Sequence, residues 1–258
     1  MADGQRGKGM NLSRHAQDWE DLGHLDPCWA ILISDKGKFG RWGIDQFFQS
    51  GEETIASLMK EAEEFGFPVE RERALDFGCG VGRLTRALAN YFERCWGLDI
   101  SGSMLAKARD LNAHIKNCEF VLNQADHLRI FPAGFFDLVY SALVLQHLPN
   151  KTLVFGYISE FSRVLKQNGL LVFQLPCYIP LRHRLQPRRR IYSALRTLGF
   201  NSKFLYERLN LYPIIMTALP EREVLSSLKE ISATVLDVRA DSCCGEFIQS
   251  RTYYLTKK

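Results

Sequence analysis

Between Ala74 and Thr85 a short apolar run, Ala-Leu-Asp-Phe, empties into three glycines on alternate positions, Gly78, Gly80 and Gly82, and then into a helix-forming stretch. A chain built this way bends sharply at the end of a buried strand, and the missing Cβ atoms let its backbone come close to a ligand. The next apolar run, Cys95–Ile100, carries Asp99 near its end. That is about the 20-residue separation at which a carboxylate reaches ribose hydroxyls. The two features point to one pocket for a nucleotide-like cofactor. Its spacing is not that of a dinucleotide site, because Gly-x-Gly-x-x-Gly needs glycine where this chain has Arg83. Asp76 at the strand end would repel a phosphate and hold an ammonium, which suits a cofactor with an amino-acid end.

Asp76-Phe-Gly-Cys-Gly-Val-Gly82, followed by Gly97-Leu-Asp-Ile-Ser101 and Met104, resembles the class I S-adenosylmethionine-dependent methyltransferases. Asn123-Gln-Ala-Asp126 resembles that family's adenine-contacting segment, and Phe136–Ser141 with Val144-Leu-Gln-His-Leu-Pro149 its fourth strand and following loop. The resemblance covers residues 70 to 175 or so and is specific for cofactor and fold, not for the methyl acceptor. It implies S-adenosylmethionine as cofactor. The implied cofactor contacts are Asp76, Gly78, Cys79, Gly80, Gly82, Asp99, Ile100, Ser101, Met104, Ala125, Asp126, His127 and Ser141. Asp126 is placed toward the adenine amino group, or else serves as a turn or helix-capping residue. Met104 reads equally well as helix core, and Cys79 offers its backbone rather than its thiol.

Strands alternate with helices from Arg73 to Leu175, the rhythm of a parallel sheet flanked by helices. The strands expected are 73–77, 94–98, 119–123, 136–141 and 169–175, with helices over 82–91, 102–112 and 151–166. A helix near 221–230 and strands near 234–239 and 247–256 follow, the last two forming an antiparallel edge hairpin. The expected architecture is α/β, a Rossmann-like doubly wound seven-stranded sheet with a C-terminal antiparallel hairpin. To it are added an N-terminal helical cap and a basic insertion after the fifth strand. Residues 1–10 read as a flexible tail, 11–68 as the cap and 69–258 as the methyltransferase domain, with the insertion or lid at 176–216. In the cap, Phe47, Phe48, Ile55, Leu58, Met59 and Ala62 recur at helical spacing. Trp29 and Trp42 are candidates to cover the cofactor mouth, or alternatively hydrophobic anchors.

Net charge is +4 for 258 residues, but it is unevenly spread. Residues 176–213 hold Arg182, Arg184, Arg188, Arg189, Arg190, Arg196, Lys203 and Arg208 against Glu207 alone, a net +7 that leaves the rest at −3. Leucine, isoleucine and aromatic residues are interleaved among these charges. The segment therefore reads as an amphipathic lid whose arginines, with His183, meet a phosphate or carboxylate on a substrate. A solvated helix face, an anionic membrane surface and RNA phosphates are the other readings. Seven cysteines without Cys-x-x-Cys spacing suit free thiols rather than disulfides or zinc. The first residues lack a secretory apolar stretch and no run is long enough to span a bilayer, so a cytoplasmic location is expected.

Methyl transfer from a sulfonium is an in-line displacement in which holding the acceptor close supplies much of the rate. A hydroxyl acceptor also gains from a base. His147, in the loop after the fourth strand, is the best placed catalytic base, or else shapes that loop. Substrate contacts are expected from His183, Arg188, Arg189, Arg190 and Trp42. The loop lacks an Asn/Asp-Pro-Pro-aromatic motif, which argues against base-amino methylation of nucleic acid. Cys177 stands without the partner motifs of a cytosine-carbon nucleophile. Cys243-Cys244 reads as inert thiols or as a soft metalloid site. The function expected is O-methylation of a small or medium, anionic metabolite. The alternatives are a non-catalytic methyltransferase-like subunit, an N-methyltransferase and an RNA methyltransferase, with a nicotinamide-dependent oxidoreductase disfavoured by Arg83 and the hairpin. Nucleic acid is not an expected partner, peripheral membrane contact is open, and so is the oligomeric state.

Overall fold

The computed structural model describes residues 3–32, 38–245 and 247–257. Three helices come first: α1 (Asp3–Leu25), α2 (Pro27–Ile31) and α3 (Ile44–Phe65). α1 takes in residues 3–10, which the sequence assigns to a tail, while residues 1 and 2 lie outside the described residues. α3 buries Phe47, Phe48, Ile55, Leu58, Met59 and Ala62 on one face and stops where Gly66 turns left-handed at φ 71°.

The βα rhythm then runs β1 (Arg73–Phe77), α4 (Arg83–Leu88), β2 (Arg94–Asp99), α5 (Gly102–Leu111), β3 (Cys118–Leu122) and β4 (Phe136–Ser141). A 3-10 turn at Leu145–His147, α6 (Lys151–Val164) and the long β5 (Leu165–Tyr178) continue it. α4 is shorter than its pattern suggests, because Gly82 sits at φ 83° before it and the residues after Leu88 close in tighter i→i−3 turns. β5 is longer than expected because antiparallel pairing with the C-terminal strand carries it out to Tyr178.

After β5 the insertion folds as α7 (Leu181–Arg184), α8 (Pro187–Thr197) and α9 (Ser202–Leu209), with an extended return before α10 (Glu221–Leu228), β6 (Thr234–Asp241) and β7 (Gln249–Thr256). The sheet order is β3-β2-β1-β4-β5-β7-β6. Its first five strands are parallel, and β7 and β6 close it antiparallel, the hairpin the sequence led one to expect.

Alternation along the central strands divides the core into two layers. Leu138, Tyr140, Leu170 and Val172 face α3 and α4, packing with Ile55 and Leu88. Val139, Leu171 and Phe173 face the other way, toward Phe161 and Tyr157 of α6. All six residues of β4 are buried, as a strand covered on both faces requires. Each large apolar side chain removed from water contributes roughly 1.5–3 kcal/mol. The order reverses between β1 and β4, and the carboxyl ends of these two strands open the crevice where open α/β sheets bind ligands.

Candidate active site

β1 ends on Asp76 and Phe77, β2 on Leu98 and Asp99, and β4 runs into Ala142–Val144. These ends line one cavity of about 880 Å³, its mouth included. The glycine turn forms its floor, with Gly78, Gly80 and Gly82 all at positive φ, between 54° and 83°. The turn is held by two bonds from Gly78 N–H and Cys79 N–H to the Leu98 carbonyl, at 2.7 and 3.0 Å. It also meets the next strand end, because Gly80 N–H donates to Asp99 Oδ2 at 2.8 Å. Asp99 Oδ1 accepts from Ser101 N–H at 2.9 Å. Burial nevertheless raises the Asp99 carboxyl above the ordinary carboxylate range.

Asp76 is 2% exposed, and its one side-chain donor among the described residues is the Thr85 hydroxyl at 2.6 Å. Burial pushes its pKa up to about 6, against the pull of Thr85 and of the Arg83 guanidinium. A buried carboxyl in that condition is under-compensated, and a ligand cation beside it would restore its ionised form. Cys79 keeps its proton, since burial and the two aspartates push its thiol well above the usual value.

His147 reaches the cavity from the 3-10 turn. Its Nδ1 pairs with the carbonyl of Ile215, which can only accept, so the proton sits on Nδ1 and Nε2 presents a lone pair. Gln146 Nε2 lies 3.5 Å from that Nε2. The Ile215 carbonyl belongs to the extended return of the insertion, which is tied down where Thr217 N–H donates to the Gln146 carbonyl at 2.8 Å. The insertion therefore orients the histidine. Burial lowers the His147 pKa to about 4, so the ring is neutral at physiological pH.

α1 roofs the cavity with His15 and Trp19. The Trp19 ring stands edge-on to both histidines, its centroid 5.5 Å from His147 and 6.2 Å from His15. His15 is 6% exposed and has no hydrogen-bonding partner among the described residues. Burial, then the neighbouring His147 and Arg189, lower its pKa to about 3. α2 adds Ala30 and Ile31, and Ile31 Cδ1 would lie 2.4 Å from a Cβ placed on Gly80.

The cavity thus gathers Asp76, Gly78, Cys79, Gly80, Asp99, Ile100, Met104 and His147 from the sequence-based set. The remainder lie outside its lining. Gly82 caps α4, and Ser101 caps α5 by accepting from Met104 N–H at 3.2 Å. Ala125 accepts from the Tyr157 hydroxyl at 2.6 Å, Asp126 is exposed, His127 Nδ1 accepts from Arg129 N–H at 3.4 Å, and Ser141 donates to the Phe77 carbonyl at 3.3 Å. Trp42 donates to the Leu32 carbonyl at 3.2 Å and packs on Phe47, and Trp29 packs on Tyr206 and Tyr212. Both are anchors of the cap. His183, Arg188 and Arg190 are exposed, Arg188 donating to the Tyr212 hydroxyl, while half-buried Arg189 faces Asp18 of α1. Cys243 and Cys244 are free thiols held protonated by burial, Cys243 at about 12.

His15, Trp19 and Arg83 are among the cavity residues that the sequence-based set does not contain. Arg83 is 5% exposed and reaches Ser50 Oγ at 3.3 Å, tying α4 to α3. No short-range pattern marks His15 or Trp19, which lie in a helix far upstream of the glycine turn.

Residues 75–173, from β1 into β5, match the family model described as a methyltransferase domain. Over that stretch the chain is similar to methyltransferase domains. Among relatives, 2-methyl-6-phytyl-1,4-hydroquinone methyltransferase of Synechocystis is 35% identical over 155 residues, 60% of this chain and 47% of that protein. The chloroplastic tocopherol O-methyltransferase of Arabidopsis thaliana is 27% identical over 176 residues, 62% of this chain and 46% of that protein. The chain spans about half the length of these relatives. Magnesium protoporphyrin IX methyltransferase from Synechocystis, solved with bound S-adenosylhomocysteine (SAH), shares the methyltransferase fold. Its TM-score is 0.62 at 18% identity, covering 96% of this chain and all of that one.

Proposed function

We propose that the protein transfers a methyl group from S-adenosylmethionine to a hydroxyl oxygen of a small molecule. The observation that carries this reading is the neutral His147 imidazole. The Nδ1 bond to Ile215 leaves Nε2 as its unprotonated nitrogen, beside the Gln146 amide at 3.5 Å, in a ring that lines the same cavity as Asp76 and Asp99. The residues fit the cofactor: under-compensated Asp76 suits its ammonium, Asp99 its ribose, and Met104 with Leu98 an apolar wall. When bound, that cofactor supplies an electrophilic methyl on a sulfonium. The Nε2 atom of His147 takes the proton from the acceptor hydroxyl as the oxygen attacks, a contribution of about 100- to 10,000-fold for a positioned base. His15, unpaired and facing the same space, holds a second polar group of the acceptor by hydrogen bond. Trp19 and Ile31 exclude water, and holding the reacting atoms in line can account for on the order of 7–11 kcal/mol of the barrier.

The acceptor's reacting end is apolar and uncharged. The wall beside the histidines is Trp19, Ile31, Leu143, Val144 and Leu148, and the arginines of the insertion are not among the lining residues. The tocopherol O-methyltransferase among the relatives supports this choice, while a phosphoethanolamine N-methyltransferase of Arabidopsis thaliana, 27% identical over 127 residues, keeps an amine as the second reading. A negative charge on the acceptor belongs at the mouth, near Arg189.

Calorimetry with SAH and then with NAD tests the cofactor, and uptake of the first alone is expected. With an acceptor found among phenols and hydroquinones, His147→Gln lowers kcat by about 100-fold or more. His15→Gln raises KM more than it lowers kcat. Turnover of amines in preference to hydroxyls would overturn the oxygen assignment.

A further inference from the structure

Half of the large apolar side chains that stand exposed among the described residues fall between Leu181 and Leu209. α8 shows how they are arranged. Its inner side faces α1, where the Tyr192 hydroxyl and Arg196 donate to Asp21 at 3.3 and 3.2 Å. Its outer row, Pro187, Arg190, Ile191, Ala194 and then Leu198, recurs at helical spacing and is exposed, Leu198 by 75%. Beyond the turn, Phe200 and Phe204 stack at 6.3 Å while both remain exposed. Exposed apolar area of this kind, concentrated on one segment, marks an interaction surface.

Its charges select the partner. Arg184, Arg190 and Arg208 are exposed and make no ion pair among the described residues. A second copy presenting the same basic surface would be repelled. RNA phosphates would answer the arginines but give nothing to exposed leucine and isoleucine side chains. A basic helix with an apolar outer row fits the plane between anionic headgroups and acyl chains. No helix among the described residues is long and apolar enough to cross a membrane, so contact of this kind is peripheral.

We propose that α7, α8 and α9 dock on an anionic lipid bilayer. α1, with His15 and Trp19 on its cavity side and Asp18 and Asp21 toward α8, then separates the bilayer from the cavity by one helix. This inference does not depend on methyl transfer.

Co-flotation with vesicles tests it. The whole chain is expected to partition onto phosphatidylcholine vesicles containing phosphatidylglycerol, not onto phosphatidylcholine alone, and less at high salt. Each basic side chain near an anionic leaflet contributes roughly fivefold in partition. Arg184→Gln, Arg190→Gln and Arg208→Gln together therefore weaken it by on the order of a hundredfold. Ile191→Ser, Leu198→Ser and Phe204→Ser together abolish it at either salt concentration. Lys60→Gln with Lys229→Gln, charges on other parts of the surface, leaves partition unchanged, and circular dichroism checks that each variant is folded. Absence of wild-type flotation with anionic vesicles, partition unaffected by either triple substitution, binding to a homopolymeric RNA without vesicle binding, or a dimer in sedimentation that the serine substitutions dissolve would each overturn the proposal.

Discussion

His15 and His147 are buried with no carboxylate among the charges that set their ionisation, so both stay neutral down to acid pH, with pKa values lowered to about 3 and about 4. In the unfolded chain each binds a proton below about 6.5. The unfolded state therefore holds more protons between those limits, and the pair's contribution to stability is present above about 6.5 and lost as pH falls. Asp76 and Asp18 act in the opposite sense. Burial raises both to about 6 from 3.8, so their contribution is present below 3.8 and lost as pH rises through about 6. Between pH 4 and 6 or so the two pairs oppose each other. Replacing both histidines with glutamine leaves the acids unopposed, and the variant should gain on the wild type in Tm as pH is lowered from about 6.5 to about 4.5. A Tm difference that is the same at both pH values would show that the rings do not titrate as described. Turnover should have its acid limb near pH 4, where His147 protonates and can no longer accept the acceptor's proton. Asp76, Asp99 and His147 were legible in the sequence because each sits at a fixed distance from a strand end. His15 was not, because only the packing of α1 on the sheet's edge brings it there.

Among the elements, the glycine turn shows how a local pattern serves a distant contact. A Cβ on Gly78 would lie 2.3 Å from Val144 Cγ2, on a backbone at φ +78°, so the turn leaves no room beside the loop after β4. Gly134 has a similar φ of +64° with nothing within 4 Å. Gly134→Ala should cost only the left-handed penalty, about 1–2 kcal/mol. Gly78→Ala should cost several kcal/mol and abolish SAH uptake, since Val144 must move. Urea unfolding and calorimetry on the two variants compare them, and equal costs would mean that the loop yields freely. The glycines could be read from the chain. That their partner is Val144, and that Leu143 before it adopts φ 61°, could not, because both depend on how β4 ends against β1. The insertion is the reverse case. Its charge and amphipathic pattern were legible, yet the pattern alone pointed its arginines at a substrate. In the fold, Arg196 is bonded to Asp21 and Arg188 to Tyr212, and what the insertion brings to the site is the backbone carbonyl of Ile215, bonded to His147 Nδ1.

At the scale of the molecule, a parallel sheet carries a roof made from both sides of the domain: α1 from before it and the insertion from after β5. Asp21 joins the two, accepting from Tyr192 and Arg196. Asp21→Ala should cost about 1 kcal/mol for each bond lost. It should also raise amide hydrogen exchange in α1 and α8 together while leaving β1, β4 and β5 protected. Exchange that rises in α8 alone would show that the roof is not one unit. The sequence by itself determined the sheet, its antiparallel hairpin and the acid-glycine cofactor motif, because strand periodicity, turn residues and strand-end carboxylates are short-range features that each stretch of chain carries within itself. Only the tertiary structure decided that α1 closes the cavity, that Ile215 sets the tautomer of His147, and that the arginines face outward or toward α1. Those outcomes rest on contacts between segments tens to hundreds of residues apart, whose geometry is set by packing around the sheet and is written in no local pattern.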